Sequence, residues 1–135
     1  MKHVFLISIF SLLYSDLFTQ RVSLSPVEFD ESIKELKELN QKFILLDVRT
    51  NSEFKTGYLE DAVLLDWTSD EFKSKFKELA IQKDIPIYIY CYMGGRSAEA
   101  ADYIKNLGYT QVFDMKGGIY QWKMAGLPVK KKSNQ

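Results

Sequence analysis

The chain has 135 residues, 46% of them hydrophobic and 27% charged, and its 18 basic residues balance 18 acidic ones. That length holds one domain with a proper hydrophobic core and no need of staples. A net charge of zero offers no broad basic field for nucleic acid, and a single cysteine excludes disulfides within the chain.

Lys2 and His3 precede an apolar run from Val4 to Tyr14 that is too short to span a bilayer comfortably. This reads as a secretory signal peptide over residues 1–20, cut near residues 15–22, although no Ala-x-Ala site marks the cut. An uncleaved membrane anchor and a buried N-terminal helix are the other readings. The expected location is therefore exported, periplasmic or secreted. A lone thiol sent to an oxidising compartment is either an accident or a reagent.

Ser25-Pro26-Val27-Glu28 predicts a helix start, with serine and glutamate at capping-box spacing and proline at the first helical position. Phe29, Ile33 and Leu36 recur at helical spacing, and Asn40 ends the segment. Phe43 to Val48 is a continuous apolar run closed by Asp47 and Arg49, as expected of a strand covered on both faces. A short helix over Ser52 to Lys55 and a strand at Ala62 to Leu65 follow. Phe72, Phe76 and Leu79 mark a helix from Ser69 to Leu79, capped by Ser69 or Asp70. Ile85 to Tyr90 is the third strand, with Pro86 at its tolerant first position. A helix runs from Arg96 or Ser97 to about Leu107, and Gly108 takes its C-terminal cap. Gln111 to Asp114 is the fourth strand. Gly117-Gly118 opens a last helix carrying Ile119, Trp122 and Met124, which Gly126 and Pro128 end. Phe72, Phe76 and Trp122 are read as core. Lys130-Lys131-Lys132 form a polar basic tail that is read as solvated. Strands alternate with helices throughout, which predicts an α/β sandwich around a mainly parallel sheet.

In open α/β sheets ligands bind beyond the carboxyl ends of the strands, and both Asp47 and Cys91 fall at such ends. Cys91 opens the loop Cys91-Tyr92-Met93-Gly94-Gly95-Arg96-Ser97. The helix behind it supplies unpaired N–H groups and the positive end of its dipole. Gly94 and Gly95 permit left-handed angles, so that successive amides can curl into an anion-binding nest. Arg96 adds a fixed positive charge. Such a site favours a thiolate or a persulfide over a thiol. Rival chemistries lack their parts. The only histidine, His3, falls in the leader, which removes a cysteine-protease base, and no second cysteine exists for a redox pair or a zinc ligand. The remaining alternatives are a buried cysteine that merely packs as a small hydrophobe and a cysteine phosphatase loop. Phosphatase loops carry one residue more between cysteine and arginine than the four from Tyr92 to Gly95.

Three motifs occur in order. They are Leu46-Asp47-Val48-Arg49 with Glu53-Phe54 and Gly57-Tyr58-Leu59-Glu60-Asp61-Ala62, then Tyr90 to Ser97, then Lys116 to Trp122 with Gly126-Leu127-Pro128-Val129. Together they resemble the single-domain rhodaneses over residues 25–129, with Tyr58 standing where that family commonly has histidine. The resemblance implies a rhodanese-like three-layer α/β/α sandwich. It also implies sulfur transfer from a donor such as thiosulfate to a thiol or cyanide, through a persulfide on Cys91. A persulfide carrier with little turnover of its own is the alternative. In this reading the backbone from Tyr92 to Ser97 holds the persulfide's charge, Arg96 orients a small anionic donor, and Tyr92 and Met93 shape access. Asp47 supports the loop by accepting its N–H groups, or else caps the next turn, and Arg49 pairs with Glu53 four residues on. The protein is expected to be a monomer without metal or cofactor, with no nucleic-acid partner and with a protein as a second class of sulfur acceptor.

Overall fold

A computed structural model of the protein describes residues 21–133. The expected export segment, residues 1–20, lies outside the described residues. Along the described chain run β1 (Val22–Leu24), α1 (Pro26–Glu38), β2 (Ile44–Asp47), α2 (Asn51–Lys55) and β3 (Val63–Leu64). There follow α3 (Phe72–Glu78), β4 (Ile87–Tyr90), α4 (Gly95–Asn106), β5 (Val112–Met115) and α5 (Gly118–Met124).

All five strands are parallel, in the order β1-β5-β4-β2-β3. Side chains on a strand alternate between faces. Leu45, Tyr88 and Tyr90 therefore join Phe29 and Ile33 of α1 and Ile119 and Trp122 of α5 in one core. Leu46, Ile87 and Ile89 join Phe72 and Phe76 of α3 and Ala100, Ala101 and Ile104 of α4 in the other. The result is the expected three-layer sandwich. Phe72, Phe76 and Trp122 are core residues, each under 5% exposed.

The order of the strands decides where a site can form. From β2 the chain moves outward to β3, then returns across the sheet to β4 and continues to β5 on the opposite side. The direction of winding reverses between β2 and β4, whose ends are paired Asp47 to Tyr90. Loops diverge at such a switch point and leave a crevice at the carboxyl edge. Cys91 is the next residue after β4.

Ser25 caps α1 as expected, its hydroxyl accepting the Glu28 N–H at 3.2 Å, and Asn40 leaves the helix with a φ of 53°. Two elements differ from the sequence reading. The helix expected from Ser69 begins only at Phe72, because Ser69 is used up in the turn before it. Its carbonyl accepts the Phe72 N–H at 3.1 Å and its hydroxyl accepts the Glu71 N–H at 3.2 Å. The sheet also has a fifth strand, β1, in a segment that carried no strand signal. Three residues are too few to show a period, and long-range polar contacts place them. Arg21 reaches Asp114 at 2.8 Å and Asp102 at 2.7 Å, and the Ser23 hydroxyl donates to Asp114 at 2.8 Å. At the other end Lys130 forms an antiparallel bridge with Tyr58, so the first lysine of the basic tail is tied to the fold by its backbone.

Asp114 is buried and accepts from both Arg21 and Ser23. Asp114→Ala removes the buried acceptor that Arg21 and Ser23 share, at a cost of about 1–3 kcal/mol. Urea denaturation should show a lower midpoint for this variant; an unchanged midpoint would mean that β1 is held by its ladder alone.

Candidate active site

β4 is buried along its whole length, and Cys91, at 1% exposure, continues that burial into the loop. The chain then turns sharply. Gly94 has a φ of +108°, a conformation open to glycine, and a Cβ there would also lie 3.3 Å from the Gly117 nitrogen. The Gly94 N–H donates to Cys91 Sγ at 3.0 Å. Gly95 differs from the sequence reading: it already belongs to α4, its φ is ordinary and a Cβ there would meet open space. Only one of the two glycines is demanded by the turn.

The loop is held from below by α5. The Ile119 N–H donates to the Cys91 carbonyl at 2.9 Å, and the Tyr120 N–H donates to the Tyr92 carbonyl at 3.0 Å. First-turn amides of a helix have no partner inside it, and here they find the loop. The contact requires Gly118, because a Cβ at this position would sit 2.3 Å from the Tyr92 oxygen and 2.6 Å from the Cys91 oxygen. Gly117-Gly118 was read only as a helix start; it is also the seat of the loop.

With those carbonyls engaged, the amides of Tyr92, Met93, Gly95, Arg96 and Ser97 make no hydrogen bond to protein among the described residues. The Ser97 side chain is fully buried and donates to the Gly94 carbonyl at 3.2 Å. Tyr92 and Met93 stand at the mouth, 42% and 63% exposed, and the Tyr92 ring meets Tyr120 edge-on at 6.0 Å. Beside them lies a shallow cleft of about 330 Å³ lined by Arg49, Ser52, Glu53, Thr56, Tyr92 and Lys123.

The charged residues pair differently from expectation. Arg49 does not pair with the Glu53 carboxylate. It lies between β2 and α2, where the four-residue helical spacing does not apply, and it turns back onto Asp47. Its Nη2 meets Asp47 Oδ2 at 2.7 Å and Nε reaches Oδ1 at 3.0 Å, with both residues buried. Nη2 also donates to the Gly57 carbonyl at 2.6 Å. Asp47 accepts the Arg49 N–H at 3.0 Å, which is the turn-capping alternative, and it bonds to none of the Tyr92–Ser97 amides. Any support it gives the loop is indirect, through Arg49 and through Tyr90 beside Cys91. The Tyr90 hydroxyl accepts the Leu59 N–H at 3.1 Å, and burial together with the nearby Asp47 carboxylate pushes its acidity well below that of an ordinary tyrosine.

Glu53 is bound instead to Arg96, with Nη1–Oε1 at 2.7 Å and Nη2–Oε2 at 2.9 Å. Arg96 is thus not a free cation facing a donor. A reciprocal capping box fixes Glu53, which accepts the Thr50 N–H and hydroxyl while its own N–H donates to Thr50 Oγ1. The Thr50-to-Glu53 spacing is the sequence signal that marks this cap. The Arg96 guanidinium, outweighing burial, holds the Glu53 carboxyl at about 2.

Residues 25–125 match the family model of the rhodanese-like domain. The chain is 32% identical over 99 residues to a sulfurtransferase of Allochromatium vinosum, covering 73% of this chain and 89% of that one. It is 33% identical over 114 residues to a tRNA uridine(34) hydroxylase of Chlamydia caviae, covering 82% of this chain but only a third of that longer protein. Among solved structures, a rhodanese-related protein of Thermoplasma volcanium superposes with a TM-score of 0.68 at 27% identity, over 82% of this chain and 99% of that one. The polysulfide-sulfur transferase of Wolinella succinogenes shares the fold, with a TM-score of 0.67 at 21% identity over 95% of this chain and 91% of that one.

The Glu53–Arg96 pair leaves a mark on stability. The Glu53 carboxyl is more acidic in the fold than its ordinary value of 4.5, so its contribution is complete above that value and lost as pH falls through about 2. Thermal melts of Glu53→Gln should show a shallower loss of stability between about pH 5 and 2 than the parent protein. Parallel curves for the two would contradict the pairing.

Proposed function

The chain belongs to the rhodanese-like family, and on that premise we propose that Cys91 carries sulfane sulfur as a persulfide between a donor such as thiosulfate and a thiophilic acceptor. The family match and the Allochromatium sulfurtransferase support sulfur transfer in general. One observation carries the finer reading: a buried Sγ that accepts the Gly94 N–H at 3.0 Å inside a loop whose other amides have no protein partner among the described residues.

The first half-reaction is a displacement. The Cys91 thiolate attacks the outer sulfur of thiosulfate, the sulfur–sulfur bond of the donor breaks, and sulfite leaves with the electron pair. A persulfide anion remains on Cys91. Its charge falls among preorganised N–H dipoles, which need no reorganisation when the charge arrives. In the second half-reaction a thiol, or cyanide in the assay, attacks the outer sulfur and restores the thiolate. The acceptors are small molecules or a protein.

A persulfide carrier with little turnover of its own is favoured by a different feature. Tyr92, Met93 and Tyr120 expose apolar surface around a sulfur that is itself buried. Thiosulfate–cyanide turnover separates the two readings, since a carrier takes up sulfur without multiple turnover. Export through residues 1–20 belongs to the same proposal and rests on the apolar run from Val4 to Tyr14.

Cys91→Ser should abolish sulfur uptake, seen as the loss of the one-sulfur adduct in intact-mass spectra, while circular dichroism stays unchanged. Turnover retained by this variant would eliminate the mechanism. N-terminal sequencing of protein from the native cell should find a start near residues 15–22; an intact Met1 on cytosolic material would refute export.

A further inference from the structure

The cations around the mouth of Cys91 are nearly all cancelled. Arg49 lines the cleft but is matched by Asp47 at 2.7 Å. Arg96, in the first turn of the helix behind the loop, is matched by Glu53 through two bonds, and Asp66 adds negative potential to it. Among the charged groups lining the cleft, Lys123 alone has no ion-pair partner among the described residues. The capping box fixes Glu53 from behind, so its carboxylate is part of the scaffold and does not swing in and out as a surface side chain would. The rim, meanwhile, is apolar: Tyr92, Met93 and Tyr120 are each 40% exposed or more.

We propose that Glu53 is a positioning residue that neutralises Arg96 beside Cys91 and turns the site toward singly charged sulfur donors with an apolar stem, such as organic persulfides or thiosulfonates, and away from the thiosulfate dianion. The inference rests on the sulfurtransferase reading and narrows its donor. An uncompensated arginine would draw a dianion more strongly than a monoanion; a neutral ion pair removes most of that difference. The stem of an organic donor finds Tyr92, Met93 and Tyr120, which offer thiosulfate nothing.

The chemistry balances with any of these donors. The Cys91 thiolate attacks the outer sulfur, and the bond from that sulfur to the donor's inner sulfur breaks. The electron pair leaves on the organic thiolate or sulfinate. Where a persulfide donor carries a proton on its outer sulfur, that proton leaves with the organic thiol. No oxidant or reductant is consumed.

The test measures kcat/KM for thiosulfate and for benzenethiosulfonate, a monoanion with an aromatic stem, in four proteins. These are the parent, Glu53→Gln, Arg96→Met and the double variant, whose side-chain pair carries formal charges of zero, plus one, minus one and zero. The ratio of thiosulfate to benzenethiosulfonate should rise about three- to tenfold in Glu53→Gln and fall by a similar factor in Arg96→Met, as expected for one charge acting across a partly screened site. The double variant should return to the parent ratio. Both donors act on the same folded protein, so a general loss of stability cancels in the ratio. A ratio that stays constant across the four, or two donors that slow in parallel in Glu53→Gln, would overturn the proposal and make Glu53 merely structural. Intact mass decides the underlying reading separately. If neither donor adds sulfur to Cys91 in the parent, sulfur transfer itself fails; if sulfur is added at an invariant ratio, only the role of Glu53 fails.

Discussion

The seating of α5 against the cysteine loop is the contact on which the site depends. Two sets of unsatisfied backbone groups meet there, the first-turn N–H groups of Ile119 and Tyr120 and the carbonyls of Cys91 and Tyr92. Buried backbone polar groups must find partners, and these find each other. The approach is close enough that the residue between them can have no side chain, and that residue is Gly118. The carbonyls face α5, and the amides of Tyr92, Met93, Gly95, Arg96 and Ser97 have no protein partner among the described residues. The proposed anion site at Cys91 is thus what remains of the loop backbone once its carbonyls are matched to the helix.

Two ion pairs then frame the loop from the β2 side, and they differ in character. Asp47 and Arg49 are both buried, so their attraction is set against the loss of hydration for two charges. A pair of this kind adds little to stability while intact, but an uncompensated member costs roughly 3–5 kcal/mol when its partner is removed. Its value here is positional: Arg49 also holds the Glu53 and Gly57 carbonyls and so fixes the C-terminal turn of α2 and the chain just beyond it. Glu53 and Arg96 are about 30% exposed and link α2 to α4. The chain of contacts runs from Asp47 through Arg49 and the α2 turn to Glu53, Arg96 and the helix behind Cys91.

The fold was largely legible because it is written in short-range signals. Ser25-Pro26 announces α1, the apolar runs at Phe43 and Ile85 announce β2 and β4, and glycines punctuate the helix ends. Cys91 was legible for the same reason, since a lone cysteine before a glycine-rich loop needs no tertiary information. What escaped was long-range. Val22–Leu24 carries no period of its own; it is a strand through its pairing with β5 and the contacts of Arg21 with Asp114 and Asp102, all distant in sequence. Sequence spacing put Glu53 with Arg49, four residues away, yet its partner lies 43 residues on. Side-chain spacing predicts ion pairs only within one helix, and Arg49 is not in one. Gly118 was visible as a glycine, but the neighbour that forbids a Cβ there belongs to another loop.

In the proposed persulfide, the burial of Cys91 separates the residue from the sulfur it carries. At 1% exposure the sulfur is shielded on nearly every side. An atom bonded to it lies about 2 Å farther along the sulfur–sulfur bond. Irreversible oxidation of a cysteine follows exposure of its thiolate. In that persulfide a bulky oxidant meets the outer, replaceable sulfur before it meets the one the protein cannot renew. The socket wears less than what it holds.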